Sequence, residues 1–345
     1  MTKKERMLAA LKRQPTDRVP AGELCIEPSI ANKLLGAEYP HDYFCFERDL
    51  AVRKLLDIDM IILGDWPSWS VGVDSKGHEH FVNVYGCEYF VTNRSRHIAK
   101  AMFADPEDAR EYPIPDSSKV NTTLFQRFRE NSDLFIVGQI GGPVSMLNES
   151  LDFEDFLVWS MTDTEPMTEA ARRVMVYEVE KAKLFLDAGA DAILIADDIA
   201  YNTGPFLPPA VMKQMVYPFY AQAVREIKAY KDVPVIMHTD GQLREALEDI
   251  AACGFDALQS LQPSAGMDIT EIKAKYGHKL CLWGNLDLDY LMTCGTPEEV
   301  SAETRRLIDT IGSQGGYILS TCNTLIDAIP PENALAMYQE SRIPR

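Results

Sequence analysis

Eight short apolar runs, separated mostly by helical patterns, constrain this chain more than any other feature of its sequence. They cover residues 19–25, 58–64, 134–141, 192–197, 235–238, 257–261, 280–284 and 317–322. Runs this short and this rich in Ile, Val and Leu suit strands buried on both faces of a parallel sheet. Helical periodicity fills intervals between them, over residues 168–188, 209–230, 243–253 and 297–311. Thr296-Pro297-Glu298-Glu299 opens the last of these with an N-cap, a proline at the first helical position and an acidic first turn. Eight β-then-α units over 345 residues predict an α/β chain folded as a (β/α)8 TIM barrel with right-handed crossovers. The other arrangement is an open doubly wound sheet. It calls for a glycine-rich phosphate turn after an early strand, and the sequence has none.

Two segments add to the bare barrel. Thr2-Lys3-Lys4-Glu5 is a capping box and predicts an N-terminal helix running to about Lys12. Residues 74–93 alternate apolar and polar side chains on either side of Gly86, which predicts a β-hairpin inserted after strand 2. From that position it should rise over the catalytic face as a lid or wall. No Ser/Gly-rich linker or low-complexity tract interrupts the chain, so residues 1–345 are expected to form a single domain.

Charge narrows the function classes. The formal net charge of −18 lacks the basic footprint that nucleic-acid phosphates require, so no nucleic-acid partner is expected. No stretch approaches the roughly 20 consecutive apolar residues of a membrane helix. The apolar run after Met7 is too short for a signal peptide, and a cytoplasmic setting is expected. Seven scattered cysteines without a CxxC pair read as free thiols.

Barrels of this kind carry their chemistry at the C-terminal ends of the strands. The residues closing the runs are Glu23 and Cys25, Asp65, Gln139, Asp197 and Asp198, His238 and Asp240, Gln259, Asn285 and Asp287, and Cys322 and Asn323. His238 and Asp240 stand two apart, so on a strand they share a face, and Gly241 then lets the chain turn. An imidazole and a carboxylate so placed can be a metal-ligand pair, an oriented acid/base pair, or a histidine satisfied by its neighbour for structural reasons alone. Cys322, taken alone, reads more readily as a small buried apolar side chain than as a ligand, although it stands at the same mouth as His238. Asp197 and Asp198 cannot both face the cavity; one is expected there as hydrogen-bond acceptor or base, the other holding a loop. Trp66 and Trp69 can line an apolar pocket or pack beneath the hairpin.

Several of these segments, in this order, resemble the uroporphyrinogen decarboxylase superfamily. They are Asp17-Arg18-Val19-Pro20, Gly142-Pro143-Val144-Ser145, His238-Thr239-Asp240-Gly241 and Gly284-Asn285-Leu286-Asp287. Gly295-Thr296-Pro297-Glu298-Glu299-Val300, Gly315-Gly316-Tyr317-Ile318-Leu319 and Pro331-Glu332-Asn333 complete the set. The resemblance spans nearly the whole chain and implies the same barrel fold. It divides into decarboxylases and zinc-dependent methyltransferases that work with a corrinoid protein. The decarboxylase branch binds its substrate's carboxylates through arginines just after the first strand, where this chain has Cys25-Ile26-Glu27-Pro28-Ser29. Asp65 matches that branch's pyrrole-binding aspartate. Glu149 or a neighbour replaces its tyrosine, and its late histidine is missing from residues 320–324.

The methyltransferase branch holds zinc with a His-x-Cys pair and a distant second cysteine. The resemblance therefore implies Zn2+ at His238, Asp240 and Cys322, with aspartate standing where the family has its first cysteine. A carboxylate in place of a thiolate makes the metal harder and suits polarising an oxygen. The expectation is an O-demethylase type of methyltransferase, moving a methyl group from a methoxy-type donor to the cobalt of a corrinoid carried by a partner protein. Asp198 and Glu149 are the expected catalytic carboxyls. Glu23, Asp65, Trp66, Gln139, Asp197 and Asn285 are the expected substrate-binding residues for a small methylated substrate. The resemblance also implies a homodimer. The other readings are methyl transfer from methyl-corrinoid to a thiol or folate, uroporphyrinogen decarboxylation, and a non-catalytic ligand-binding barrel.

Overall fold

The computed structural model describes residues 1–92 and 95–344 and forms seven of the eight apolar runs into one parallel sheet. Its strands, in both chain and spatial order, are Met60–Gly64 (β1), Phe135–Gly141 (β2), Ala192–Ala196 (β3), Val235–Thr239 (β4), Ala257–Ser260 (β5), Cys281–Leu286 (β6) and Tyr317–Thr321 (β7). Side chains alternate between two cores. Met60, Ile62, Phe135, Val137, Leu194, Ile236, Trp283 and Ile318 pack together inside the curl of the sheet. Ile61, Leu63, Ile136, Ile193, Val235, Leu258 and Leu282 face outward into the helical layer.

The eighth run departs from expectation. Residues 19–25 form no strand and hold their place through the isolated parallel bridge Ala21↔Leu319, with a second, Ile26↔Leu325, just beyond them. Pro20 supplies no N–H to a ladder, and its carbonyl accepts from Leu319 instead (2.9 Å). Gly22 N–H donates to the Leu319 carbonyl and Asp59 N–H to the Ala21 carbonyl, both at 2.9 Å. The segment thus bridges β7 to the lead-in of β1, and the seven-stranded sheet curls into a TIM-barrel-like form. Buried Asp59 gathers Arg6 (2.6 Å), Arg18 (3.0 Å) and the Ala21 N–H (2.9 Å) beneath this join. The helix Lys3–Leu11, opened by a complete Thr2/Glu5 capping box, places Met7, Ala10 and Leu11 in the inner core.

Between β1 and β2 the chain builds a four-stranded antiparallel sheet from Ser68–Val73, Glu79–Asn83, Glu88–Thr92 and Ser95–Lys100. The two middle strands are those of the anticipated hairpin, paired at His80↔Phe90 and Phe81↔Tyr89; its final residue, Asn93, lies outside the described residues. The outer strands are additional. The helical pattern over 209–230 is two helices, Pro209–Met215 and Tyr217–Tyr230, broken at Val216 where Pro218 cannot continue the hydrogen-bond ladder. No helix among the described residues is long and apolar enough to cross a membrane.

Candidate metal centre

Parallel strands deliver their last residues to one end of the sheet, where a cavity of about 350 Å3 opens. Trp66, Gln139, Glu149, Asp197, Asp198 and His238 line it, joined by Tyr43, Arg96, Ser145 and Met146.

His238 stands on β4, one side of its ring turned to β5 and the other to the cavity. Nδ1 contacts Gln259 Oε1, its cross-strand partner; Nε2 lies 3.7 Å from Asp198 Oδ1. Asp198 Oδ1 also accepts from the backbone N–H of Asp240 (3.1 Å). Asp240 follows the end of β4, its two carboxylate oxygens accepting from Ser260 Oγ and Asn323 Nδ2. Gly241 turns the chain away at φ 84°, and a Cβ there would come within 2.5 Å of the Ala200 carbonyl oxygen. As a result Asp198, His238 and Asp240 can each present one ligand atom, all within 4.8 Å of one another. That spacing suits a single cation: two oxygen donors and one imidazole are an acceptable set for a divalent metal.

Burial tunes the acids of this region. The Asp240 carboxyl is raised above the usual carboxylate range first by burial, with Asp198 adding to the shift and His238 opposing it. Glu149 is raised by partial burial first, opposed by Arg96, whose Nη1 lies 2.9 Å from Glu149 Oε2. Asp197 is fully buried, and its carboxyl is pushed up to about 7 by burial. It accepts from Val144 N (3.2 Å), Ser145 N and Tyr220 OH, so it caps the first turn of the helix Pro143–Asn148. Gly142 makes room for it, because a Cβ there would fall 2.3 Å from the Asp197 side chain.

The expected site residues therefore divide. Trp66, Gln139, Glu149 and Asp198 stand on the cavity with His238, while Asp197 shapes its wall with a carboxylate already occupied by backbone and Tyr220 donors. Cys322 is buried, with its thiol pushed up to about 12 by burial first, and lies outside the grouping of Asp198, His238 and Asp240. Glu23 is turned away from the cavity, accepting from Thr321 N and Thr321 Oγ1 (2.9 Å each) and from Tyr338 OH (2.6 Å). Asp65 accepts from Asn121 N (2.9 Å). Asn285 donates to the Leu261 carbonyl (2.9 Å) and opens on a different cleft beside Asp287. Sequence reasoning missed Arg96 and Ser260 altogether, and it noted Ser145 within a family-like segment and Gln259 and Asn323 as run ends without assigning them a role.

Comparison with known proteins adds an independent line. The family described as uroporphyrinogen decarboxylase (URO-D) matches residues 83–342. The methylcobamide:CoM methyltransferase MtaA of Methanosarcina barkeri is 23% identical over 351 residues, covering 97% of this chain and 96% of that protein. A uroporphyrinogen decarboxylase of Chlorobium phaeovibrioides is 31% identical over 152 residues, covering 43% of this chain and 40% of that protein. Among solved structures, a methyltransferase from Methanosarcina mazei superposes with a TM-score of 0.78 at 23% identity, covering 99% of this chain and 98% of that one. That likeness shows the fold.

Proposed function

Because this chain belongs to the uroporphyrinogen decarboxylase family, we propose that it works in the family's methyl-transfer chemistry, as a methyltransferase acting with a corrinoid protein on a methoxy-type donor. One observation carries this reading. Asp198, His238 and Asp240 converge within 4.8 Å, a set dominated by oxygen donors where a thiol-activating site would use sulfur. We place zinc on these three side chains and propose Cys322, on the loop that follows β7, as a further ligand. Zinc held there would supply Lewis acidity to the oxygen that leaves from the methyl group.

The chain's own residues do the rest. Ser260 and Asn323 donate to Asp240 and keep its carboxylate turned toward His238. Trp66 and Gln139 orient the donor against the opposite wall. Glu149, a cavity carboxyl raised by burial and opposed by Arg96, is the group we assign to orient the departing oxygen. Arg96 steadies Glu149 from the insertion sheet.

The second reading, transfer from a methylated corrinoid to a thiol, is favoured by the similarity to MtaA, whose name describes transfer between methylcobamide and CoM. Elemental analysis of the purified protein, followed by methyl transfer from a panel of methoxy compounds to cob(I)alamin read by absorbance, separates the two. We expect one zinc per chain, methoxy-dependent cobalt methylation, and loss of both in His238→Ala. Turnover by metal-free protein would remove the zinc assignment. Activity from methylcob(III)alamin to a thiol, with none toward methyl ethers, would establish the second reading.

A further inference from the structure

Gln259 faces His238 across the β4–β5 pairing and is fully buried. Its oxygen lies against His238 Nδ1, yet its amide nitrogen finds no acceptor among the described residues. The indole nitrogen of Trp283, its partner on β6, is likewise without one. A buried N–H left unpaired is destabilising, so stability does not explain a glutamine here. What the residue provides is an acceptor for one chosen nitrogen of the imidazole.

A neutral imidazole carries a single ring proton, and its neighbours decide which nitrogen holds it. Nδ1 has the Gln259 oxygen in contact. Nε2 has Asp198 Oδ1 at 3.7 Å, too far for a hydrogen bond. The proton is thereby drawn to Nδ1, and the lone pair of Nε2 points toward the two carboxylates. We propose that Gln259 is a positioning residue of the metal centre: it fixes His238 in the Nδ1–H form and keeps Nε2 open to a divalent cation. The proposal rests on the reading that Asp198, His238 and Asp240 hold a metal. It goes beyond that reading by making the site depend on an uncharged neighbour that touches neither cation nor substrate. The reversed amide would present N–H to Nδ1, move the ring proton to Nε2 and close the site to a cation.

Two measurements on the full chain test this. In metal-free protein labelled with 15N-histidine, with His238 assigned by its loss in His238→Gln, the imidazole nitrogens report the tautomer directly. We expect a protonated Nδ1 and a bare Nε2 in the wild type, a shift toward Nε2–H in Gln259→Met, and retention of Nδ1–H in Gln259→Glu, which preserves an acceptor oxygen. Competition for zinc against a chromogenic chelator should then show an affinity about 10–100-fold weaker in Gln259→Met and restored in Gln259→Glu. A wild-type His238 protonated at Nε2 overturns the proposal, and that measurement needs no variant to fold. So does zinc binding that is equally tight in wild type and Gln259→Met. Failure of the wild type to bind zinc at all overturns instead the metal reading on which the proposal stands.

Discussion

At the scale of single residues, the chain places carboxyls where water cannot reach them and lets hydrogen bonds decide their roles. Glu23 and Asp197 are both fully buried, both pushed up to about 7 by burial, and both surrounded by donors. Unfolded, such groups titrate near 4. Their folded pKa is therefore the higher one, so the stability tied to their protonated form is complete below about pH 4 and is lost as pH rises through about 7. Replacing Glu23 by Gln removes its share of that dependence. The unfolding free energy of the wild type minus that of Glu23→Gln should fall between about pH 4 and about pH 7 and then level off, measured by denaturant titration. A pH-independent difference would show that Glu23 does not titrate in this window. The same scale shows what a sequence can disclose about a site. His238 and Asp240 are legible because two positions on one strand share a face. Gln259 is adjacent to His238 only through strand register, which no local pattern encodes.

Elements were legible in proportion to their burial. The seven runs buried on both faces announced themselves as parallel strands, whereas residues 19–25 carry a proline and keep a single isolated bridge, Ala21↔Leu319. In the insertion, Ser95–Lys100 reads Ser-Arg-His-Ile-Ala-Lys, polar enough to hide a strand and with it Arg96. This small sheet is tied down through a buried ion pair on the helix Thr164–Asp187. Lys181 Nζ lies 2.8 Å from Glu178 Oε2, both side chains 1% exposed, and Tyr85 OH from the insertion donates to Glu178 Oε1 (2.7 Å). Stripping one partner from a buried pair leaves an uncompensated charge, which costs about 3–5 kcal/mol. Lys181→Met should lower stability by that order in equilibrium unfolding, and a loss below about 1 kcal/mol would mean the pair is solvated in solution. Arg96→Leu should leave stability nearly unchanged, because its partner Glu149 is half exposed. It should nevertheless lower kcat for methyl transfer by freeing Glu149 to reorient; an unaltered kcat would remove Arg96 from the working site.

For the whole molecule, a formal net charge of −18 means that self-repulsion opposes the folded state and that this opposition is screened by salt. Melting temperature should rise by a few degrees between about 10 mM and 150 mM sodium chloride; a flat or falling trend would show that the surface ion pairs outweigh the net charge. The join between the two edges of the sheet has a further consequence, for the timing of biogenesis. Glu23 and Thr321, which it brings together, stand 298 positions apart. Loop-closure entropy grows only with the logarithm of that separation, so the finished protein loses little by it. A chain emerging from a ribosome fares differently. Until residues 317–321 have been made, the first segment has no partner to zip against, and β6 presents an open edge of the kind that recruits strands from other chains. Between the making of β6 and of β7 that edge is the one most exposed to a neighbouring chain.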